Sequence, residues 1–326
     1  MKSKAMFVLI WGLLYSAPAS AQVAEGNPEH DTVATAIPGV IAAGAKIAFM
    51  NDGYRGTEGP IALPDGSAVF TETQRNRLMR IDQDGNGSRW LFNTNGANGL
   101  AFDSQGRLIA VQTVPGKTAV AVIYPADKVA VLSDNYDGKP YGRPNDLVVD
   151  KKGGVYFTDP GPNAEPGAPP PPLPPAVYYI PPGGRSMQVA TDITRPNGIQ
   201  LSPDEKTLYV NDSRGEYLIA YDIQPDGTLR NKRNFAKYVG VTRDGGQITS
   251  GADGLAVDNE GRAYTTSNAG IDVFSPQGMH LGTIPVSRRP QNLAFAGSDK
   301  RTLYIVGRGA TFRVPMLAQG YLGRVK

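Results

Sequence analysis

The chain has 326 residues, 40% of them hydrophobic, with 33 basic against 30 acidic side chains and no cysteine. A large buried core is therefore available, while disulfide frameworks, thiolate zinc sites, iron-sulfur clusters and cysteine nucleophiles are excluded. The 39 glycines and 27 prolines, about 12% and 8% of the chain, predict many short strands separated by turns rather than helices.

In chain order, residues 1–21 read as a secretory signal peptide: Lys2 and Lys4, an apolar run from Ala5 to Tyr15, and a small-residue cleavage pattern at Ala19-Ser20-Ala21. Eleven apolar residues are too few to span a bilayer, which needs about 20, so the remainder is expected to be exported, periplasmic or secreted, without a membrane anchor. Residues 22–36 lack periodicity and are expected to be loose. From 37 to 326 the chain reads as one domain built on a repeat. Six segments share a polar opening residue, an apolar strand, a turn and a second strand. The openings are Glu58, Asn98, Asn145, Asn197, Asp253 and Gln291, spaced by 40, 47, 52, 56 and 38 residues, the spacing of four-stranded propeller blades. Outer strands follow, as at 78–82 and 88–92, joined by a turn rich in Asp, Asn and Gly. That turn, Asp82 to Gly87, resembles the start of an EF-hand loop, but Asn93 stands where the bidentate Glu should be, so it reads as a hairpin turn. The sixth unit has only 36 residues left and is short for four strands. A segment around 45–51 is expected to supply its outer strand, giving an all-β, six-bladed β-propeller closed by an N-terminal strand.

Residues 160–182 hold 11 prolines and interrupt the third unit between its second and third strands. They read as a polyproline-like loop overhanging the face of the opening residues, either a plain linker or a wall for a pocket. Asp159, Asn211 and Asp212 reach the same face and are expected as an outer layer around a metal or as solvated loop residues. The tyrosines at 156, 178, 179 and 209 read as core packing.

Equivalent repeats place the six openings around one axis, and all six carry a side-chain oxygen. Two carboxylates with amide carbonyls suit a hard divalent cation, Ca²⁺ first among them. A lone Asn-Gly or Asp-Gly is as well explained by a turn, but Glu58-Gly-Pro is a poor turn signal at the same repeat position. His30 and His280 are too few and too far apart for a zinc site or a Ser-His-Asp hydrolase.

Glu58-Gly-Pro, Arg143-Pro-Asn145-Asp146, Pro196-Asn197-Gly198 and Asp253-Gly254-Leu255 resemble the signatures of the gluconolactonase/regucalcin (senescence-marker-protein) family, over residues 45–315. The resemblance implies a metal-dependent hydrolase that opens a lactone at a divalent cation held by Glu58, Asn197 and Asp253. It implies that Arg143 and Asn145 handle substrate or complete the metal shell. Asn98 is placed with them as a substrate contact, and Asp253 is the candidate base that takes a proton from the attacking water. One departure stands out: many bacterial relatives carry an acid-histidine pair where this chain reads Val111-Gln112-Thr113. The rival expectation is a non-catalytic exported propeller that binds a small molecule or a protein. A quinoprotein dehydrogenase ranks below both, because beyond residue 21 the chain has only Trp90 for an aromatic floor. The expected partner is a small-molecule lactone, with no nucleic acid and no membrane, and the expected state a monomer or weak oligomer.

Overall fold

A computed structural model describes residues 30–163, 170–324 and 326. The segment read as a signal peptide and the middle of the proline-rich loop lie outside the described residues. Six antiparallel sheets follow one another along the chain, each meandering from an inner to an outer strand. Blade one runs Thr57–Ala62, Ala68–Glu72, Arg77–Ile81 and Gly87–Phe92. Blade two begins with Ala97–Phe102, blade three with Leu147–Val149, blade four with Pro196–Leu201, blade five with Leu255–Val257 and blade six with Asn292–Ala296. Apart from two short 3₁₀ turns, no helix occurs among the described residues.

The apolar runs are nearly continuous because every inner strand is covered on both faces, and successive side chains point to opposite sides. Leu108-Ile109-Ala110-Val111 shows the division: Leu108 and Ala110 pack toward blade one, Ile109 and Val111 toward blade three. Six apolar wedges result, one at each contact between neighbouring blades. The four tyrosines expected in the core are there. Tyr156 donates to the Gly227 carbonyl at 2.9 Å and Tyr179 to Asp150 Oδ2 at 2.8 Å, which satisfies two buried hydroxyls.

Blade six draws only three strands from its own unit. Lys46–Asn51 pairs antiparallel with Ala310–Pro315, Phe49 opposite Phe312, and so forms the outer strand where the short last unit requires one. The expectation of a loose 22–36 needs correcting from His30 onward. Thr32–Val33 adds a fifth strand against Ile47 and Lys46, and Asp31 accepts the Phe49 amide and pairs with Lys46. Ile37, Val40 and Ile41 are then buried in the wedge between blades five and six.

Three additions break the repeat, the first a short hairpin of Asn135–Tyr136 with Lys139–Pro140. The proline-rich loop separates Val155–Asp159 from Ala176–Ile180 in blade three, between second and third strands as expected. An extra hairpin, Thr242–Asp244 with Gln247–Thr249, fills the longest interval between openings.

Candidate active site

The opening residues sit where inner strands slip register. Pairing is irregular between Glu58 and Ile61, between Ala97 and Leu100, and between Pro196 and Ile199. Such a bulge turns side chains out of the ladder. Inner strands of neighbouring blades then meet through their backbones: the Gly99 amide donates to Asn145 O at 3.0 Å, Gly198 to Asp253 O at 2.8 Å, and Gly254 to Gln291 O at 2.7 Å. This close approach explains the glycine that follows four of the six openings, at 59, 99, 198 and 254, while Asp146 and Asn292 follow the other two. A Cβ at Gly99 would strike Asp146, and one at Gly198 would strike the Asp253 carbonyl. Neither glycine has positive φ, so Asn98-Gly99 and Asn197-Gly198 are not turn dipeptides here.

Glu58, Asn145, Asn197, Asp253 and Gln291 line one cavity of about 390 Å³, together with Arg143. Glu58 is buried and accepts the Gln291 and Asn292 side-chain amides at 3.3 and 3.2 Å. Asn197 donates its Nδ2 to Ser213 Oγ at 3.0 Å, which leaves its Oδ1 buried with no partner. Asp253 is fixed by its main chain: its amide donates to Thr266 Oγ1 at 2.9 Å, and its carbonyl accepts Asn211 Nδ2 at 2.9 Å. Burial and the nearby Asp253 push the Glu58 carboxyl well above its usual range. Burial, then the Asp146 carboxylate, pushes Asp253 up to about 6, against the Asn197 amide and the Arg143 and Arg308 guanidiniums.

Two buried carboxylates of raised proton affinity and an unpartnered amide oxygen in the same lining form a set of oxygen donors. The chemistry of these donors suits a hard divalent ion, and Glu58, Asn145, Asn197 and Asp253 share the one lining. No cluster of three or more His, Cys, Asp or Glu suited to a metal occurs among the described residues. The donor set has only two acids, and amides supply the rest. Asn98 is buried with an unpartnered Oδ1 but does not line this cavity, so the contact with substrate expected of it is absent from the lining.

Asp146, next to Asn145, is buried and paired with the Lys326 ammonium at 2.5 Å, and Lys326 also donates to Ile199 O at 3.0 Å. Nothing in the repeat pattern marks Lys326, which lies beyond the last blade strand. Burial lowers the lysine from its usual value and raises the aspartate.

Asp159 and Asp212 are not solvated loop residues. Both are buried and accept main-chain amides of the loops ahead of their blades: Asp159 from Gly142 at 2.7 Å and Arg143 at 2.8 Å, Asp212 from Arg195 at 3.0 Å and Thr194 at 3.2 Å. Glu72 does the same for Arg55 in blade one, at 2.9 Å. Asn211 is buried too, and acts through the Asp253 carbonyl rather than through a metal. The recurring acid at the end of a second strand was visible in the sequence, but its partners depend on how the loops curl back. Gln112, in place of the acid-histidine pair, donates to Thr94 O at 3.1 Å and accepts from Asn95 at 3.2 Å, so it braces a loop. From the proline-rich loop, Pro160 and Asn163 reach the cavity wall.

The pattern of the SMP-30/Gluconolactonase/LRE-like region matches residues 56–308. A gluconolactonase of Zymomonas mobilis is 27% identical over 325 residues, covering 90% of each chain. The solved structure of a gluconolactonase from Xanthomonas campestris is 28% identical with a TM-score of 0.76, covering 91% of this chain and 98% of that one. A calcium-binding regucalcin from Agrobacterium tumefaciens shares the fold, at 20% identity and a TM-score of 0.67, over 82% of this chain and 92% of that one.

Proposed function

Because the chain belongs to the SMP-30/gluconolactonase/LRE-like family, we propose that it hydrolyses lactones, and does so in the cavity that Glu58, Asn197 and Asp253 share, with a divalent cation, Ca²⁺ by the hardness of its donors. The observation that carries the metal is the buried, unpartnered Asn197 Oδ1 in one lining with two carboxylates that make no ion pair among the described residues. When bound, the cation supplies Lewis-acid polarisation of the lactone carbonyl.

The chain's own residues supply the rest. Asp253 takes the proton of the attacking water. Its carboxylate is held on a backbone clamped by Asn211 and Gly198, so little reorganisation is needed at the moment of transfer. Arg143, whose amide is pinned by Asp159, donates charge-assisted hydrogen bonds to an oxygen of the substrate. Asn145 orients the substrate or adds a donor to the cation, and Glu58, held by Gln291 and Asn292, stays fixed as a ligand.

Hydrolysis of a lactone panel with added calcium and with chelator tests the reading. Calcium-dependent turnover that falls at least ~100-fold in Asp253→Asn, with calcium binding retained, is the expected result. Calcium binding without turnover of any lactone would instead make the chain a binding propeller, the rival expectation.

A further inference from the structure

Five arginines line the same cavity: Arg143, Arg195, Arg214, Arg289 and Arg308, against two acids, Glu58 and Asp253. Two of the five come from the loops ahead of blades three and four, one from the loop ahead of blade six, and two from the loops after second strands in blades four and six. Among the described residues none of the five is ion-paired, although other arginines, such as Arg77, Arg107 and Arg262, are paired with carboxylates at 2.6 Å. The acceptors that three of them find are neutral amides. Asn163 Oδ1 takes Arg195 at 2.8 Å and Arg143 at 3.5 Å, and Gln247 Oε1 takes Arg214 at 3.1 Å.

Like charges gathered in a concave site repel one another and raise the local concentration of anions. Two carboxylates committed to a divalent cation leave nothing to offset five guanidiniums. A neutral sugar ring needs hydrogen bonds, not five uncompensated cations. Guanidiniums match the oxygens of a carboxylate, phosphoryl or sulfonate group, which can accept two parallel hydrogen bonds from one fork.

We propose that this arginine crown selects a ligand carrying an anionic group. Resting on the lactone reading, that makes the substrate an acidic lactone, with its carbonyl at Glu58, Asn197 and Asp253 and its anionic substituent among Arg195, Arg289 and Arg308.

Two measurements test it. Isothermal titration calorimetry with neutral D-glucitol, D-glucarate and 6-phospho-D-gluconate, each with calcium and with chelator, reads the crown without turnover. Glucarate or the phosphate ester should bind at least ~10-fold tighter than glucitol even in chelator, and which of the two wins tells carboxylate from phosphoryl recognition. The advantage should shrink ~10-fold or more in Arg195→Gln/Arg308→Gln, survive in Arg195→Lys/Arg308→Lys better than in the glutamine pair, and fall with added salt. Equal affinity for the three, binding of none, or an advantage untouched by the glutamine pair would overturn the proposal.

The second measurement compares kcat/KM for δ-gluconolactone and its 6-phosphate. Turnover of both with no preference for the anion keeps the lactone reading and overturns the crown. Anion-selective binding with no hydrolysis of either keeps the crown and overturns the lactone reading.

Discussion

Burial makes both Glu58 and Asp253 harder to ionise, with Asp253 adding to the effect on Glu58 and Asp146 to that on Asp253, and the consequence is measurable in the metal-free protein. The folded pKa of Asp253, about 6, lies above the unfolded value near 3.8. The stabilisation it gives is therefore complete below about pH 4 and is lost as pH rises through 6, a loss of up to about 3 kcal/mol for this group. Asp253→Asn should raise the Tm of chelated protein at pH 7.5 by a few degrees and leave it nearly unchanged at pH 4.5, as thermal denaturation would show. Calcium should raise the wild-type Tm more at pH 7.5 than at pH 5, and Glu58→Ala should remove most of that rise. Lys326 has the opposite role, since it already neutralises Asp146. Lys326→Met leaves a buried carboxylate alone and should cost about 3 kcal/mol in urea denaturation, while adding Asp146→Asn should recover part of the loss.

The blades show which features a repeat makes legible. Each inner strand contributes alternate residues to two wedges, so a near-continuous apolar run of five or six residues marked the blades without any need for partners. The openings were legible as a set because a side-chain oxygen recurs at one repeat position, followed in four of the six by a glycine that lies against the neighbouring strand. Gly198→Ala drives a methyl into the Asp253 carbonyl and should cost about 1–3 kcal/mol and most of the activity, because the backbone it displaces carries the base. The arginines were legible only in part. Arg143, Arg195 and Arg289 share a repeat position ahead of an opening, but Arg214 and Arg308 come from different loops, and convergence on one mouth is a property of the ring. Asp159 and Asp212 were placed on the right face with the wrong partners, since sequence gives the end of a strand and not the path of the loop that returns to it.

At the scale of the whole molecule, six sheets leave six wedges, and the strand pairing of Ala310–Pro315 with Lys46–Asn51 joins chain segments far apart in sequence. Phe49, packed edge-on against Phe312 at 5.6 Å, is the apolar centre of that joint. Phe49→Ala should cost about 3 kcal/mol, near the lower end for a buried phenylalanine because its ring is not fully covered, and proteolysis should then cut first near residues 30–50. Blades two to five were readable one at a time; closure was readable only as a deficit, the missing fourth strand of a short last unit. Lys326 was not readable at all, since it belongs to no repeat and reaches Asp146 only through the assembled ring. The joint also sets a timetable for biogenesis. With 260 residues between Asn51 in the clasp and Thr311 in its keeper, a growing chain has a latch with nothing to engage until blade six has emerged.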